Sequence, residues 1–354
     1  MEKTRNSNIE LLRLVLMLFV VLLHFNNDTM GGAFVLVKNL PIENAILRVL
    51  EAFCNCAVNC FMIVSGYFLF TNTKVRFGKI LDILLIVIFY RFFDYICRMV
   101  FLSEIFSIRH FVGCFLPANY FAIFYVVCYL FSPFIAKQFR ECSEKTVNFL
   151  MAALLIVFIL IPTMLDIAND LHIFKDPGFL SPISGIGNGG GYTIVQFFTM
   201  LYLGMWFRRT EFNPNVWTLV LVYIVSSILI AVLKIKIDTY NYDFILTVIN
   251  AAVLFLLFNK LSFQSKTINF AAKSSFAIFC IHVGVFANTL WKKFFITETH
   301  ICNGLGRMIL WSFISVAFMF VACLVVSIVM RGIFGNTKKW LCSKLPYFEL
   351  EGNC

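Results

Sequence analysis

The sequence predicts an all-α, polytopic integral membrane protein, and three observations lead to that prediction. Of the 354 residues, 60% are apolar and 14% are charged, whereas a typical soluble domain is about half apolar and a quarter charged. The 43 phenylalanines exceed what one or two soluble cores can bury. The apolar residues form continuous runs, not the alternating ten-residue segments of a membrane barrel. This composition argues against nucleic-acid-binding, secreted disulfide-rich and cytosolic proteins.

Ten apolar runs are long enough to be membrane helices, because a bilayer core is crossed by roughly 20 residues, with about 17–25 tolerated. The second, fourth, sixth and eighth runs give the weakest signal, since they are short or have polar ends. In chain order the predicted spans are Ile9–Phe25, Phe53–Phe70, Ile80–Phe101, Phe121–Ala136, Val147–Leu165, Tyr192–Phe207, Val216–Leu233, Phe244–Phe258, Ala271–Leu290 and Met308–Val329.

The loops between these spans predict the orientation in the membrane. With the N-terminus in the cytoplasm, 17 lysines and arginines fall on the cytoplasmic side and 10 on the other side. The positive-inside rule therefore predicts two cytoplasmic termini, and it accounts for the formal charge of +10 without a nucleic-acid partner. We expect residues 1–335 to form the membrane domain and residues 336–354 a short cytoplasmic tail. The sequence does not indicate an oligomeric state.

The twelve cysteines favour packing over metal binding. Most lie inside predicted spans, where cysteine acts as a small polarizable apolar residue. Cys54, Cys56 and Cys60 are close in sequence, but no histidine is near them and a tetrahedral metal site needs four ligands. We therefore expect no metal site.

Ionisable residues inside predicted spans are the strongest functional candidates, because each costs at least about 2.5–3.5 kcal/mol near the membrane centre. Arg13 and His24 are eleven residues apart in the first span. At about 100° per residue they share one helix face, separated by roughly 16.5 Å along the axis. That geometry suits a long ligand such as coenzyme A, with phosphates at Arg13 and a reactive thioester at His24. Alternatively, Glu10 pairs with Arg13 and the histidine bonds a neighbouring helix.

Other intramembrane polar residues have both structural and functional interpretations. Arg91, Asp94 and Arg98 form an i, i+3, i+7 ladder in the third span, which fits a buried ion network or the lining of a polar cavity. His282, in the ninth span, has no charged neighbour in sequence and fits a structural role. Ser65 lies in a Ser-Gly pair without the G-x-S-x-G pattern of a nucleophile, and small residues in spans usually mark close helix packing.

Five landmarks along the chain resemble, in the same order, those of the membrane-bound acyltransferase family 3, the bacterial sugar O-acyltransferases. They are Asn8-Ile-Glu10-Leu-Leu-Arg13 followed by His24 with ten residues between Arg13 and His24, Asn59 to Ser65-Gly66-Tyr67, the basic residues Lys74, Arg76 and Lys79, Tyr120–Tyr125 through Phe131-Ser-Pro133, and Ile281-His282. Ten spans with both ends inside are also that family's architecture. The resemblance extends over nearly the whole chain.

The resemblance implies acyl transfer, usually of acetyl, from cytoplasmic acyl-CoA to a hydroxyl of a cell-surface or exported glycan. The protein would be a multi-pass protein of the bacterial cytoplasmic (inner) membrane. The resemblance assigns acyl transfer to His24, as general base or as transient acyl carrier, and donor binding to Arg13, Arg76 and Lys79. Glu10, Ser65, Arg91, Asp94 and His282 are supporting candidates. The expected partners are acetyl-CoA as co-substrate, the glycan acceptor and the bilayer, with no permanently bound cofactor.

Two other functions would also explain ten spans and intramembrane charges. One is non-catalytic export of lipid-linked sugars, and the other is glycan polymerisation. Neither requires coenzyme A, and neither accounts for the ordered landmarks.

Overall fold

The computed structural model describes residues 6–173 and 190–350. These residues fold mainly into helices, with one two-stranded sheet. The elements in chain order are α1 (Ser7–Asn26), α2 (Ala33–Leu36), α3 (Pro41–Cys54), α4 (Ala57–Leu69), β1 (Lys74–Arg76), α5 (Phe77–Phe101), α6 (Ile108–Gly113), α7 (Tyr120–Glu141), α8 (Glu144–Leu155), a π-helical turn (Ile156–Leu160), α9 (Ile161–Asp170), α10 (Ile194–Thr210), α11 (Val216–Leu233), α12 (Ile245–Asn259), α13 (Lys266–Ala272), α14 (Ser275–His282), α15 (Val285–Phe294), α16 (Glu298–Ile301), α17 (Leu305–Ser343) and β2 (Tyr347–Glu349).

Six helical segments among the described residues are long and apolar enough to cross a membrane. They are α1, α3 with α4, α7, α8 through α9, α11 and α17. The protein is therefore an all-α polytopic membrane protein, as its composition predicts. The count of ten spans and the cytoplasmic termini stay predictions.

The remaining predicted spans also fall on helices, but each departs from a simple apolar span. The 25-residue α5 carries five charged side chains, while α10 and α12 have only 17 and 15 residues. The ninth predicted span is not one straight helix, because α14 and α15 meet at a 71° bend after His282. A membrane can accommodate such a break only where protein or water satisfies the freed backbone groups.

The described residues divide into two compact units. The first lies within Met1–Leu47, Arg76–Ile123 and Gln264–Tyr347, and the second within Arg48–Val75, Phe124–Phe263 and Phe348–Cys354. The predicted boundary at residue 335 lies inside α17, which continues to Ser343. Whether the C-terminal residues act as a separate tail stays a prediction.

In the first unit, α1 packs against α13, α14 and α17, and α5 packs against α14, α15 and α17. Val87 and Tyr90 of α5 share an apolar core with Ala277 and Cys280 of α14. The helix α14 is therefore in contact with both α1 and α5, so residues of three helices meet around it.

In the second unit, α4 and α10 cross at a pair of glycines. A Cβ atom on Gly66 would lie 2.0 Å from the carbonyl oxygen of Leu201, and a Cβ atom on Gly204 would lie 2.1 Å from that of Ile63. Both positions need glycine because the two helix backbones touch there. Small residues at helix crossings are typical of membrane interiors.

A buried polar cluster joins α4 and α10 to the loop before α12. Gln196 Nε2 donates to Asn59 Oδ1 at 3.1 Å and to the Tyr242 carbonyl at 3.0 Å. The next residue, Asp243, is fully buried, and its backbone carbonyl accepts from Thr163 Oγ1. Within residues 6–173 and 190–350, neither carboxylate oxygen of Asp243 has a hydrogen-bond partner.

Side-chain caps determine where several helices begin. Hydroxyl or amide oxygens accept from the first turn at Ser107, Ser143, Thr193, Asn215 and Ser265. These residues satisfy backbone N–H groups that lack a partner inside the helix. The predicted sixth span starts at Tyr192, but α10 starts at Ile194 because Thr193 is its cap and accepts from Gln196 N.

Candidate active site

Arg13 and His24 both lie within the uninterrupted helix α1. The helical register therefore places them on one face, roughly 16.5 Å apart along the axis. Arg13 forms an ion pair with Glu10 at 3.3 Å, and 35% of the Arg13 side chain is exposed. The ion pair between Glu10 and Arg13 that we considered as an alternative to phosphate binding is therefore present, and part of the Arg13 side chain is still accessible.

His24 lies against a second histidine, which the sequence separates from it by 258 residues. His24 Nδ1 is 2.6 Å from His282 Nε2, and the ring centroids are 4.8 Å apart. Phe279, one turn before His282 on α14, packs against both rings. His282 is fully buried. The structure thus brings together two of the predicted site residues from opposite ends of the chain.

The partners of His282 determine the tautomer of both rings. A carbonyl oxygen can only accept, so the 2.7 Å contact between His282 Nδ1 and the Ile278 oxygen requires a proton on Nδ1. In the neutral ring, His282 Nε2 then has a lone pair and accepts from His24 Nδ1–H. The lone pair of His24 therefore lies on Nε2. No described residue makes a hydrogen bond to that nitrogen, so it is available as a base or a nucleophile.

The predicted donor-site residues Arg76 and Lys79 lie at the first turn of α5 and are exposed. Arg76 is the residue immediately before the helix. Both belong to the first unit, as Arg13 does. Ser65 belongs to the second unit, and its hydroxyl donates to the carbonyl of Phe61 in the same helix at 2.8 Å.

Asp94 makes contacts that sequence reasoning missed. Its Oδ1 accepts from the backbone N–H of Phe286 at 2.8 Å, and its Oδ2 pairs with Arg98 Nε at 3.1 Å. Asp94 therefore caps the first turn of α15 and satisfies one N–H that the break after α14 leaves open. The only sequence signal for this break is Gly284. The structure explains why glycine stands there, because a Cβ atom added to it would lie 2.5 Å from Asp94 Oδ1.

The predicted ladder of the third span is only partly an ion network. Arg98 pairs with Asp94 and with Glu104, at 3.1 Å and 2.8 Å. Arg91 instead donates to the backbone carbonyl of Gly113 at 3.1 Å. Asp94 and Arg98 are therefore paired with each other, whereas Arg91 bonds to backbone.

A cavity of about 340 Å³ lies within the first unit and includes this network in its wall. The polar lining comes from α5 and the segment that follows it, with Arg91, Asp94, Arg98, Arg109, His110 and Asn119. From α14 and the break come Cys280, Val283 and Gly284, residues on either side of His282. Arg91, Asp94 and Arg98 of the third predicted span thus all line this cavity.

Comparison with known proteins identifies the family of the chain. A family model described as "Acyltransferase domain" matches residues 6–331, which is nearly the whole chain. The matched segment contains both histidines and all the basic residues discussed above. A search of the curated proteins and of the solved structures finds no match to the chain.

Proposed function

Because the chain belongs to the membrane-bound acyltransferase family 3, we propose that it transfers an acetyl group from acetyl-CoA to a hydroxyl of a cell-surface or exported glycan. Family membership favours acyl transfer over lipid-linked sugar export or glycan polymerisation. We further propose that the protein is a multi-pass protein of the bacterial cytoplasmic membrane, with the donor entering from the cytoplasm.

The observation that supports this chemistry is the hydrogen-bonded series from His24 through His282 to the Ile278 carbonyl. It leaves the lone pair of His24 on Nε2, where a general base needs it. Nε2 takes the proton of the acceptor hydroxyl while the hydroxyl oxygen attacks the thioester carbonyl carbon. The C–S bond then breaks, and the leaving thiolate of coenzyme A takes the proton back from Nε2. His282 orients the ring and stabilises the imidazolium that forms, as an orienting partner does in a catalytic triad.

A second mechanism uses the same nitrogen as a nucleophile. Nε2 attacks the thioester, coenzyme A leaves, and the acyl-imidazole passes its acyl group to the acceptor hydroxyl in a second step. The two mechanisms differ in whether a labelled acyl-enzyme forms without acceptor. Rapid quenching of the purified protein with radiolabelled acetyl-CoA distinguishes them.

In this proposal, Arg13, Arg76 and Lys79 bind the phosphates of the donor. Three helical turns separate Arg13 from His24, which suits the extended length of coenzyme A between its phosphates and its thioester. Glu10 holds the Arg13 guanidinium through one nitrogen at 3.3 Å and leaves other donors for phosphate.

The decisive experiment compares purified wild-type protein with His24→Ala and His300→Ala. His300 is a matched control because it also lies in the first unit, stacked on Trp311 with centroids 3.7 Å apart. We expect His24→Ala to lose transfer of labelled acetyl to glycan while acetyl-CoA still protects it against thermal unfolding. We expect His300→Ala to keep both. Wild-type transfer by His24→Ala would exclude the assignment, and an absence of protection by acetyl-CoA in the wild type would exclude the donor.

A further inference from the structure

The cavity beside α14 has an uncompensated positive charge. Arg98, one of its three arginines, is paired with Asp94 and Glu104, and His110 also contacts Glu104. Within residues 6–173 and 190–350, no carboxylate lies within ion-pair distance of Arg91 or Arg109. The lining therefore carries an excess of positive charge that the protein itself does not neutralise.

Arg91 also has unused hydrogen-bond donors. A guanidinium has five N–H groups, and the hydrogen bond of the Arg91 side chain to described residues goes to the Gly113 carbonyl. Its Nε is buried and has no partner among the described residues. A buried donor without a partner is unfavourable, so a ligand with acceptor oxygens that bonds to it would be stabilised.

The polar lining offers more than charge. Asn119 Oδ1 accepts from the Ala122 N–H, which leaves the amide N–H groups of Asn119 to donate. The phenol ring of Tyr90, nearly buried, forms part of the wall. A volume of about 340 Å³ is at the lower end of the range for small-molecule sites, about 300–1,000 Å³. These features suit a sugar ring with one acidic substituent better than a long chain.

The position of the cavity connects it to the proposed chemistry. Cys280 and Val283 line it and lie two positions before and one position after His282 on α14. We infer that the cavity binds the carboxylate or phosphate of an acidic acceptor saccharide, with Arg91 as the main anion-binding residue and Arg109 as its support. This inference rests on the proposed function, because it names the acceptor class for that reaction.

The test measures binding of single sugars to the purified protein without acetyl-CoA. The probes are galacturonate, galactose 6-phosphate and neutral galactose, followed by calorimetry and thermal unfolding. We expect at least one of the two acidic sugars to bind at least about tenfold more tightly than galactose. Arg91→Gln should weaken that binding about tenfold or more, since it removes the charged hydrogen-bond donors that face the anionic group. Arg91→Lys keeps the charge but loses the planar guanidinium, so its affinity for the acidic sugars should lie between those of the wild type and Arg91→Gln.

The matched control is Arg307→Gln, an exposed arginine of the same unit that is not part of the cavity wall. It should bind the acidic sugars as the wild type does. Retained protection by acetyl-CoA shows that Arg91→Gln is folded, and it separates this test from that of the donor site. Equal binding of the acidic and neutral sugars, or unchanged binding by Arg91→Gln, would overturn the inference. Binding of dihexanoyl phosphatidylglycerol through Arg91 without binding of acidic sugars would overturn it in favour of a lipid headgroup.

Discussion

Replacement of His282 tests the histidine pair more sharply than replacement of His24. In the proposed mechanism His282 touches neither substrate, and it acts by accepting from His24 Nδ1 across 2.6 Å. His282→Leu removes that acceptor and allows the His24 proton to move from Nδ1 to Nε2. His24 Nε2 would then have no lone pair with which to take a proton from the acceptor hydroxyl. His282→Gln keeps an acceptor oxygen, so it should preserve part of the orientation.

The structure also gives the expected size of the effect. When His24 takes up a proton, its Nδ1–H donates from a charged ring, and hydrogen bonds to charged groups contribute about 1.5–3 kcal/mol. Loss of that energy from the transition state lowers kcat by about 10- to 150-fold. The KM for acetyl-CoA should not change. His282→Gln should retain more activity than His282→Leu.

The assay is acetyl transfer by purified variants, with kcat and KM determined separately and His300→Leu as the control. Thermal unfolding and size-exclusion chromatography establish that each variant is folded. A folded His282→Leu with the kcat of the wild type would refute the positioning role. A change confined to the KM for acetyl-CoA would instead place His282 in donor binding.

Three further predictions concern other parts of the chain. Arg13→Ala should raise the KM for acetyl-CoA about tenfold or more with little change in thermal stability, whereas reduced stability alone would mean that Arg13 is only structural. Burial, with a smaller contribution from nearby Asp166, raises the pKa of Asp243 to about 8. The folded state then holds a proton that the unfolded chain has released, so stability falls between about pH 4 and pH 8 by up to about 1.4 kcal/mol per unit. Asp243→Asn should remove this fall in unfolding scans, and an unaltered pH profile would contradict the assignment. Gly66→Ala should lower the unfolding temperature and yield by separating α4 from α10, whereas Gly306→Ala, with open space around it, should not.

The sequence predicts the helical membrane fold because lipid imposes long apolar runs that can be read locally. The shared face of Arg13 and His24 also follows from one helix and its periodicity. The partner of His24 cannot be predicted in this way, because the contact with His282 depends on how α14 packs against α1. No local sequence pattern indicates that packing. His282 is therefore a candidate in the sequence but acquires a partner only in the structure.

The bend between α14 and α15 is a second feature that the local sequence does not predict. An apolar run of twenty residues predicts one straight span, and Gly284 is a weak signal against it. The cap that makes the break stable comes from Asp94, which is 192 residues away in sequence. A hydrogen bond to the distant Asp94 side chain thus stabilises a bend in a segment whose own composition favours a continuous helix.

The break after His282 has a consequence for how rigid this part of the protein is. The Phe286 N–H in the first turn of α15 donates to Asp94, and the Val283 carbonyl accepts from Asn288 Nδ2 at 3.3 Å. Straightening the two helices, or sliding α14 along its axis, would break both bonds. These contacts hold the end of α14 in place, and with it the Ile278 carbonyl and the His282 imidazole, so substrates have to reach a fixed imidazole.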